Sequence, residues 1–439
     1  MNTVAYFILV GSCLLGGALG SPVILYVGAL FLPMLQVMPT PVGAISAPVN
    51  LLLAALMAST VTGSSKRPAT TGSLPLKKSL VLMTVMLVLG LLIRAVREQT
   101  GSSFLNELAN QPIVIWYWVT PFLVYALVWR LATDRTVAWR VVRACELSIV
   151  GEGTLTIIER ALGIGRATAH IGEANRAGAY FAAASCFMLA RFLTSRGKFK
   201  VVYALAWFIS MAGMFNSLSR GAMVATAFAS LVTVGVFFVK GKGRAGSKVL
   251  FVVVLAILLA NALVLIPQSV VDRVNSTFRT GAGEEITADT QLDASAEARL
   301  LFWKIAWDNF KMRPMGLGTG TFPTLVEPYW KRPMNAHNIY LQLLTEYGLQ
   351  GLLALLVLIG TALGYFYRTF VRWDGTDRSD TALSLLGWWT AHCAAHAFVN
   401  PFFLIQGTGQ FWIMTGCLPH LLDTIPAVVS KLRSPAGRA

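Results

Sequence analysis

Nine apolar runs dominate the chain: Ser79–Val96, Ile113–Trp129, Ala177–Ala190, Val201–Ser217, Gly221–Val239, Val249–Ile266, Leu349–Tyr367, Thr381–Val399 and Phe402–Leu421. A hydrocarbon core about 30 Å thick is crossed by ~20 residues of helix, and most of these runs come close to that length. The pattern predicts an all-α polytopic membrane protein. Composition agrees, with 55% apolar and 13% charged residues and a mean hydropathy of +0.63. A net charge of +16 would ordinarily suggest nucleic acid as a partner. A soluble nucleic-acid binder needs a charged surface throughout, which this composition cannot supply, so that class is excluded.

The basic residues collect in alternate connectors, and Lys and Arg in short loops mark the cytoplasmic side. Lys66, Arg67, Lys77 and Lys78 form one connector; Arg130, Arg135, Arg140 and Arg143 form a second. Arg191, Arg196, Lys198 and Lys200 form a third, Lys240, Lys242, Arg244 and Lys248 a fourth, and Arg368, Arg372 and Arg378 a fifth. Arg191 reads as a cytoplasmic anchor. The other side then receives 97–111, 163–176, the turn at Ser219–Arg220, and the long segment 267–336. Residues 144–162 are a weaker span, interrupted by Glu146, Glu152 and Glu159, whose carboxylates must face the bundle interior or an aqueous cavity. The first 62 residues hold either two long spans or three short ones; with Val4–Met34 as one broken or tilted span the total is about twelve and both termini are cytoplasmic, whereas three would place Met1 outside. The N-terminus shows neither a basic region nor a clear cleavage site, so it is expected to be a retained segment. The expected organisation is a bundle over 1–266, an external unit over 267–348, further spans over 349–422 and a cytoplasmic tail over 423–439.

The external segment 267–336 has eight acidic and eight basic residues, with helical periodicity at Ala298–Phe310 placing Leu301, Ile305 and Phe310 near one face. Its aromatics (Trp303, Trp307, Phe310, Phe322, Tyr329 and Trp330) suit stacking on sugar rings or lying at the interface. The five cysteines show no CxxC spacing, which indicates neither a disulfide framework nor a zinc site. His392 and His396 have metal-pair spacing without an apparent third ligand, so interhelical hydrogen bonding is expected instead.

Several groups on the external side could carry chemistry. Arg220 sits in Ser219-Arg220-Gly221-Ala222, where the small neighbours allow close approach to the guanidinium. Arg299 lies in the long segment. His337 opens the string His337-Asn338-x-x-Leu341-x-x-x-x-Glu346-x-Gly348-x-x-Gly351-Leu352, at the external end of a packed helical stripe. Glu346 falls about 180° from His337 on an ideal helix, which argues against a His–Glu dyad. Arg176 could meet phosphate or lipid headgroups. Gly316-Leu-Gly318-Thr-Gly320 lacks the Gly-Lys-Ser/Thr of a nucleotide loop; it either shapes an acceptor cleft or is a plain turn.

Taken together, the His337 string, the Ser219–Ala222 turn, Arg299 followed by Trp303, the Gly316–Gly320 loop and Asn175-Arg176-Ala177 resemble, in order and topology, the O-antigen ligase and polymerase superfamily. The resemblance covers about Gly172–Leu352. It implies a GT-C-like glycosyltransferase of the Gram-negative inner membrane with a large, partly helical periplasmic loop. The implied donor is a glycan on undecaprenyl diphosphate, and the implied ligase acceptor is a hydroxyl of lipid A-core. In that setting His337 is the expected general base, with an unperturbed pKa suited to the task. Arg220, Arg299 and Arg176 are expected to hold the diphosphate through their charged forks. Asn338, Gly221, Gly318 and Glu346 are expected in support. No Asp-rich cluster calls for a divalent metal and no cofactor is expected, so transfer should be metal-independent and inverting. An O-antigen polymerase, a protein O-oligosaccharyltransferase and, through Glu152, a transporter remain alternatives.

Overall fold

The computed structural model describes residues 2–19, 22–36, 48–62, 74–97, 112–132, 134–240, 246, 249, 294–331, 333–400 and 402–421. The expected span 249–266 (apart from residue 249), the first part of the external segment, the connector residues Lys66 and Arg67, and the tail 423–439 lie outside them. Among the described residues there is no strand. The helices are α1 (Asn2–Leu19), α2 (Val23–Phe31), α3 (Pro48–Thr62), α4 (Lys77–Arg97), α5 (Pro112–Leu131), α6 (Arg135–Ala161) and α7 (Ala174–Thr194). There follow α8 (Lys198–Asn216), α9 (Arg220–Lys240), α10 (Ala294–Met312), α11 (Phe322–Trp330), α12 (Ile339–Arg372), α13 (Asp377–Ala395) and α14 (Ile405–Cys417). Five of them, α4, α7, α8, α9 and α12, are long and apolar enough to cross a membrane.

The bundle is organised around α7, in which every residue from Ala177 to Thr194 is buried. Its sequence explains the placement, because Ala, Gly and Ser let neighbouring backbones come close. A Cβ on Gly178 would lie 2.5 Å from the Ser219 Cβ, so the turn before α9 packs directly on the first turns of α7. By contrast, Val81, Val85, Val88 and Leu92 form an exposed stripe along α4, at the spacing of one helix face turned toward lipid.

Val4–Met34 is not one broken span, because a Cβ on Gly16 would lie 2.8 Å from the Ile24 Cβ, and residues eight apart meet so closely only where the chain turns back. The α1–α2 pair is therefore a hairpin. Helix α3 returns beside it, with Ser59 Oγ donating to the Gly16 carbonyl at 2.8 Å. Residues 32–36 pack on the 169–171 turn near the start of α7. Three helical segments, α1, α2 and α3, thus precede the first basic connector, as the second of the two expected arrangements has it.

The three glutamates of α6 are all accounted for. Glu159 accepts the backbone N–H groups of Thr168 and Ala169 at 2.8 and 2.9 Å. Glu152 accepts the His170 N–H at 3.0 Å and pairs with His170 Nδ1 at 2.8 Å. Together they fasten the connector between α6 and α7. Glu146 meets Arg191 at 2.7 Å, and Arg191 is only 3% exposed. Arg191 is accordingly a buried member of a cross-helix ion pair and not the exposed cytoplasmic anchor expected of it.

Helices α10 and α11 with the start of α12 enclose a second, smaller core of Ala298, Phe302, Ile305, Ala306, Phe322, Val326 and Ala336. The buried face of α10 runs through Ala298, Phe302, Ile305 and Ala306, with Leu301 packed at its edge, so it takes in Ile305 of the expected stripe and is centred nearer Phe302, whose partners sit on α11 and the 336–341 segment. This packing also sorts the aromatics. Phe322 is fully buried and Trp330 meets Phe302 edge-on at 5.6 Å, whereas Trp307 and Tyr329 stay exposed.

Candidate functional site

At one end of the bundle the beginnings of α7, α9 and α12 meet the ends of α6, α8 and α13, with α10 lying over them. Arg220 is the first residue of α9, entered through Leu218 in the left-handed region at φ 51°. Gly221 fits beneath Phe398, whose Cβ would lie 2.7 Å from an added methyl; the small residue serves helix packing at this end. Arg220 and Arg299 line one small polar pocket, and Arg166 and Asn175 line it with them. Arg166 was not singled out by sequence. Its Nε donates to the Ser217 carbonyl at 3.0 Å and its Nη2 to Asn175 Oδ1 at 2.9 Å, which hold the guanidinium plane in place. The Glu152 and Glu159 contacts anchor the connector that presents it.

His337 enters from the other side. It is one of few non-glycine residues at positive φ among those described, at 51°, a conformation that costs ~1–3 kcal/mol unless its surroundings enforce it. The enforcement is visible on both flanks. Trp303 Nε1 donates to the Ala336 carbonyl at 3.1 Å. Asn338 caps α12, accepting from the N–H groups of Tyr340 and Leu341 at 3.0 and 3.1 Å, as Asn does at such positions. The Ile339 N–H reaches the His396 carbonyl at 3.0 Å. The ring stacks on Phe302 with centroids 6.4 Å apart and planes 18° from parallel.

Burial pushes the His337 pKa below 6.5; Arg299 and, more weakly, Arg176 push the same way, while Glu173 opposes them. The imidazole is therefore held neutral near pH 7, with a lone pair free to take a proton. Glu173 is a second residue missed by sequence. It caps α7 by accepting from the Asn175 N–H at 3.1 Å and pairs with Arg176 at 3.2 Å. Arg176 does not line the pocket of Arg166, Arg220 and Arg299, so among the expected phosphate ligands it stands apart.

Glu346 and Gly318 belong to the framework. Glu346 is buried and accepts from the N–H groups of Gly320 and Phe322 and from Gln342 Nε2, at 3.1, 3.2 and 3.2 Å. It ties the Gly316–Gly320 loop to α12 and forms no dyad with His337. Gly318, at φ 103°, lies so close to α4 that an added Cβ would sit 2.5 Å from the Arg94 Cβ. Its N–H donates to the Glu346 carbonyl at 2.8 Å, and Thr319 N–H to the Gly90 carbonyl at 3.1 Å. The loop is thus a wedge between α4 and the kink of α12 at Gly348, which answers the open choice in favour of a structural turn. His392 and His396 hydrogen-bond the carbonyls of Phe402 and His392 at 3.0 and 2.9 Å.

The signal that could have found Arg166 is its position in an external connector, Gly165-Arg166-Ala167, close before Asn175. An isolated Arg near a span end is more often an interfacial anchor, and nothing local distinguishes the two. Residues 204–356 match the family model described as O-antigen ligase. No curated protein matches the chain.

Proposed function

We propose that the chain is a membrane glycosyltransferase that moves a glycan from a polyprenyl diphosphate carrier to an acceptor hydroxyl, a reading supported by the match of residues 204–356 to the family model described as O-antigen ligase. The observation that carries this reading is one pocket lined by three arginines, Arg166, Arg220 and Arg299, with Arg299 also close enough to act on the charge state of His337. The arginine end would receive the diphosphate and the histidine end the acceptor.

The chemistry follows from these roles. His337 takes the proton of the acceptor hydroxyl, whose oxygen forms a bond to the anomeric carbon. The bond from that carbon to the diphosphate oxygen breaks, and its electron pair leaves with the carrier diphosphate. A single displacement inverts the anomeric configuration. Arginine forks match phosphate oxygens in pairs, and one preorganised contact of this kind is worth roughly 3–4 kcal/mol of transition-state stabilisation. We assign the arginines the charge neutralisation that a divalent metal performs in other transferases, and so propose metal-independent transfer.

Within this reading, the donor is undecaprenyl-diphosphate-linked O-antigen, the acceptor is lipid A-core, and the site faces the periplasm from the Gram-negative inner membrane. The test is transfer by the purified full chain in bilayers containing both substrates. Glycan on lipid A-core supports the ligase. Elongation of carrier-linked glycan alone assigns a polymerase instead. The transporter alternative loses its motive, since Glu152 is occupied with His170.

A further inference from the structure

The opposite end of the bundle, where α6 and α8 begin and α7 ends, holds a second charged cavity of about 440 Å³. Arg143, Arg191 and Arg196 line it with Trp139, Asp377 and Asp380. At its floor, the single carboxylate of Glu146 serves two guanidinium groups: Arg143 Nη1 at 3.0 Å and Arg191 Nε at 2.7 Å, with Tyr203 Oη also donating to it at 2.9 Å. Asp377 is already paired with Arg135 at 2.6 Å. The Arg143 guanidinium lies 4.6 Å from the Trp139 ring centroid and that of Arg191 5.1 Å from it, so both planes are fixed.

Arg191 is 97% buried by its 3% exposure, yet its Nη2 has no hydrogen-bond partner. A buried charged donor left unmet carries a desolvation cost that an acceptor would remove. Asp380, which lines the same cavity, also acts electrostatically on Arg191, so the unmet requirement is an acceptor for Nη2. An anionic oxygen with several lone pairs meets it, and phosphate oxygens fit an arginine fork best. Arg143 and Arg196, which line the cavity, belong to the basic connectors, and Lys and Arg of such connectors favour anionic lipid headgroups.

We propose that this cavity binds the phosphodiester of a phospholipid headgroup, at a site separate from the His337 end. The binding requires only that the chain sit in a membrane and is independent of the transfer reaction. The experiment uses the purified full chain in detergent, titrated with a short-chain phosphatidylglycerol, with a diacylglycerol of the same chains, and with inorganic phosphate. Thermal midpoint and native mass spectrometry report binding. The expected result is a midpoint that rises with the phospholipid and not with the diacylglycerol, and affinity reduced about tenfold or more in Arg191→Gln. Because Arg191→Gln also loosens Glu146, Ser195→Trp provides a second variant that fills the cavity and keeps every charge; it should lose the bound lipid as well. Equal response to diacylglycerol, unchanged binding in folded Ser195→Trp, or saturation by inorganic phosphate at the same concentration as lipid would each overturn the proposal.

Discussion

Replacing His337 with asparagine separates its chemistry from its backbone. Asparagine is among the non-glycine residues that best tolerate a positive φ, so the 51° conformation persists and Asn338 can still cap α12. The structural loss is the stack on Phe302, worth ~0.5–1.5 kcal/mol by analogy with aromatic pairs. An amide cannot accept a proton at neutral pH, and general-base assistance contributes ~10²–10⁴ in rate, equivalent to roughly 2.7–5.4 kcal/mol of barrier. The kinetic loss should therefore exceed the stability loss severalfold. His337→Gly supplies the converse, releasing backbone strain while abolishing the base. The assay is the initial rate of glycan transfer in bilayers at neutral pH, paired with the thermal midpoint of each variant. His337→Asn turning over within threefold of wild type, at an unchanged midpoint, would refute the base assignment.

Further outcomes follow from the same contacts. With the neutral imidazole as the proposed base and its pKa below 6.5, transfer should hold as pH falls through 6.5 and decline only beneath it. Arg299→Gln removes a group that lowers this pKa and should move the acid limb of the pH–rate profile upward, whereas Glu173→Gln should move it down. The same depressed pKa gives a stability contribution that is present above 6.5 and lost as pH falls through the folded value, measurable as a falling thermal midpoint that His337→Asn lacks. Arg166→Lys keeps the charge but cannot reach both the Ser217 carbonyl and Asn175 Oδ1 with one fixed plane; steady-state kinetics should show transfer reduced about tenfold to a hundredfold, in keeping with charged hydrogen bonds worth ~1.5–3 kcal/mol. Glu346→Gln turns an amide donor toward N–H groups now satisfied by a carboxylate, and denaturant unfolding should show a loss of ~1–3 kcal/mol.

Much of the site was legible because its members announce themselves by type and side. Arg220, Arg299 and His337 fall on the same side in the alternation of basic connectors, and the structure brings them to one end of the bundle. The rest was hidden for specific reasons. Arg166 and Glu173 look like ordinary connector charges until Ser217, Asn175 and Arg176 are seen around them. Arg191 has the sequence context of an anchor, and only the approach of Glu146 from another helix reveals its burial. The hairpin at α1–α2 escapes hydropathy, which measures apolar length and carries no information on where the chain reverses.

The sequence alone determined that this chain is helical and belongs in a membrane, since apolar length and the distribution of Lys and Arg follow from transfer free energies that act residue by residue. It also grouped Arg220, Arg299 and His337 on one side of the alternating basic connectors. The tertiary structure decided which charges meet. Whether an arginine touches lipid, a carboxylate or a pocket depends on distances of a few ångströms between segments far apart in sequence, and no local pattern encodes them. Thus Glu346, which shares a motif with His337, became the clamp of a loop, while Arg166, which shares none, completed a pocket with Arg220 and Arg299.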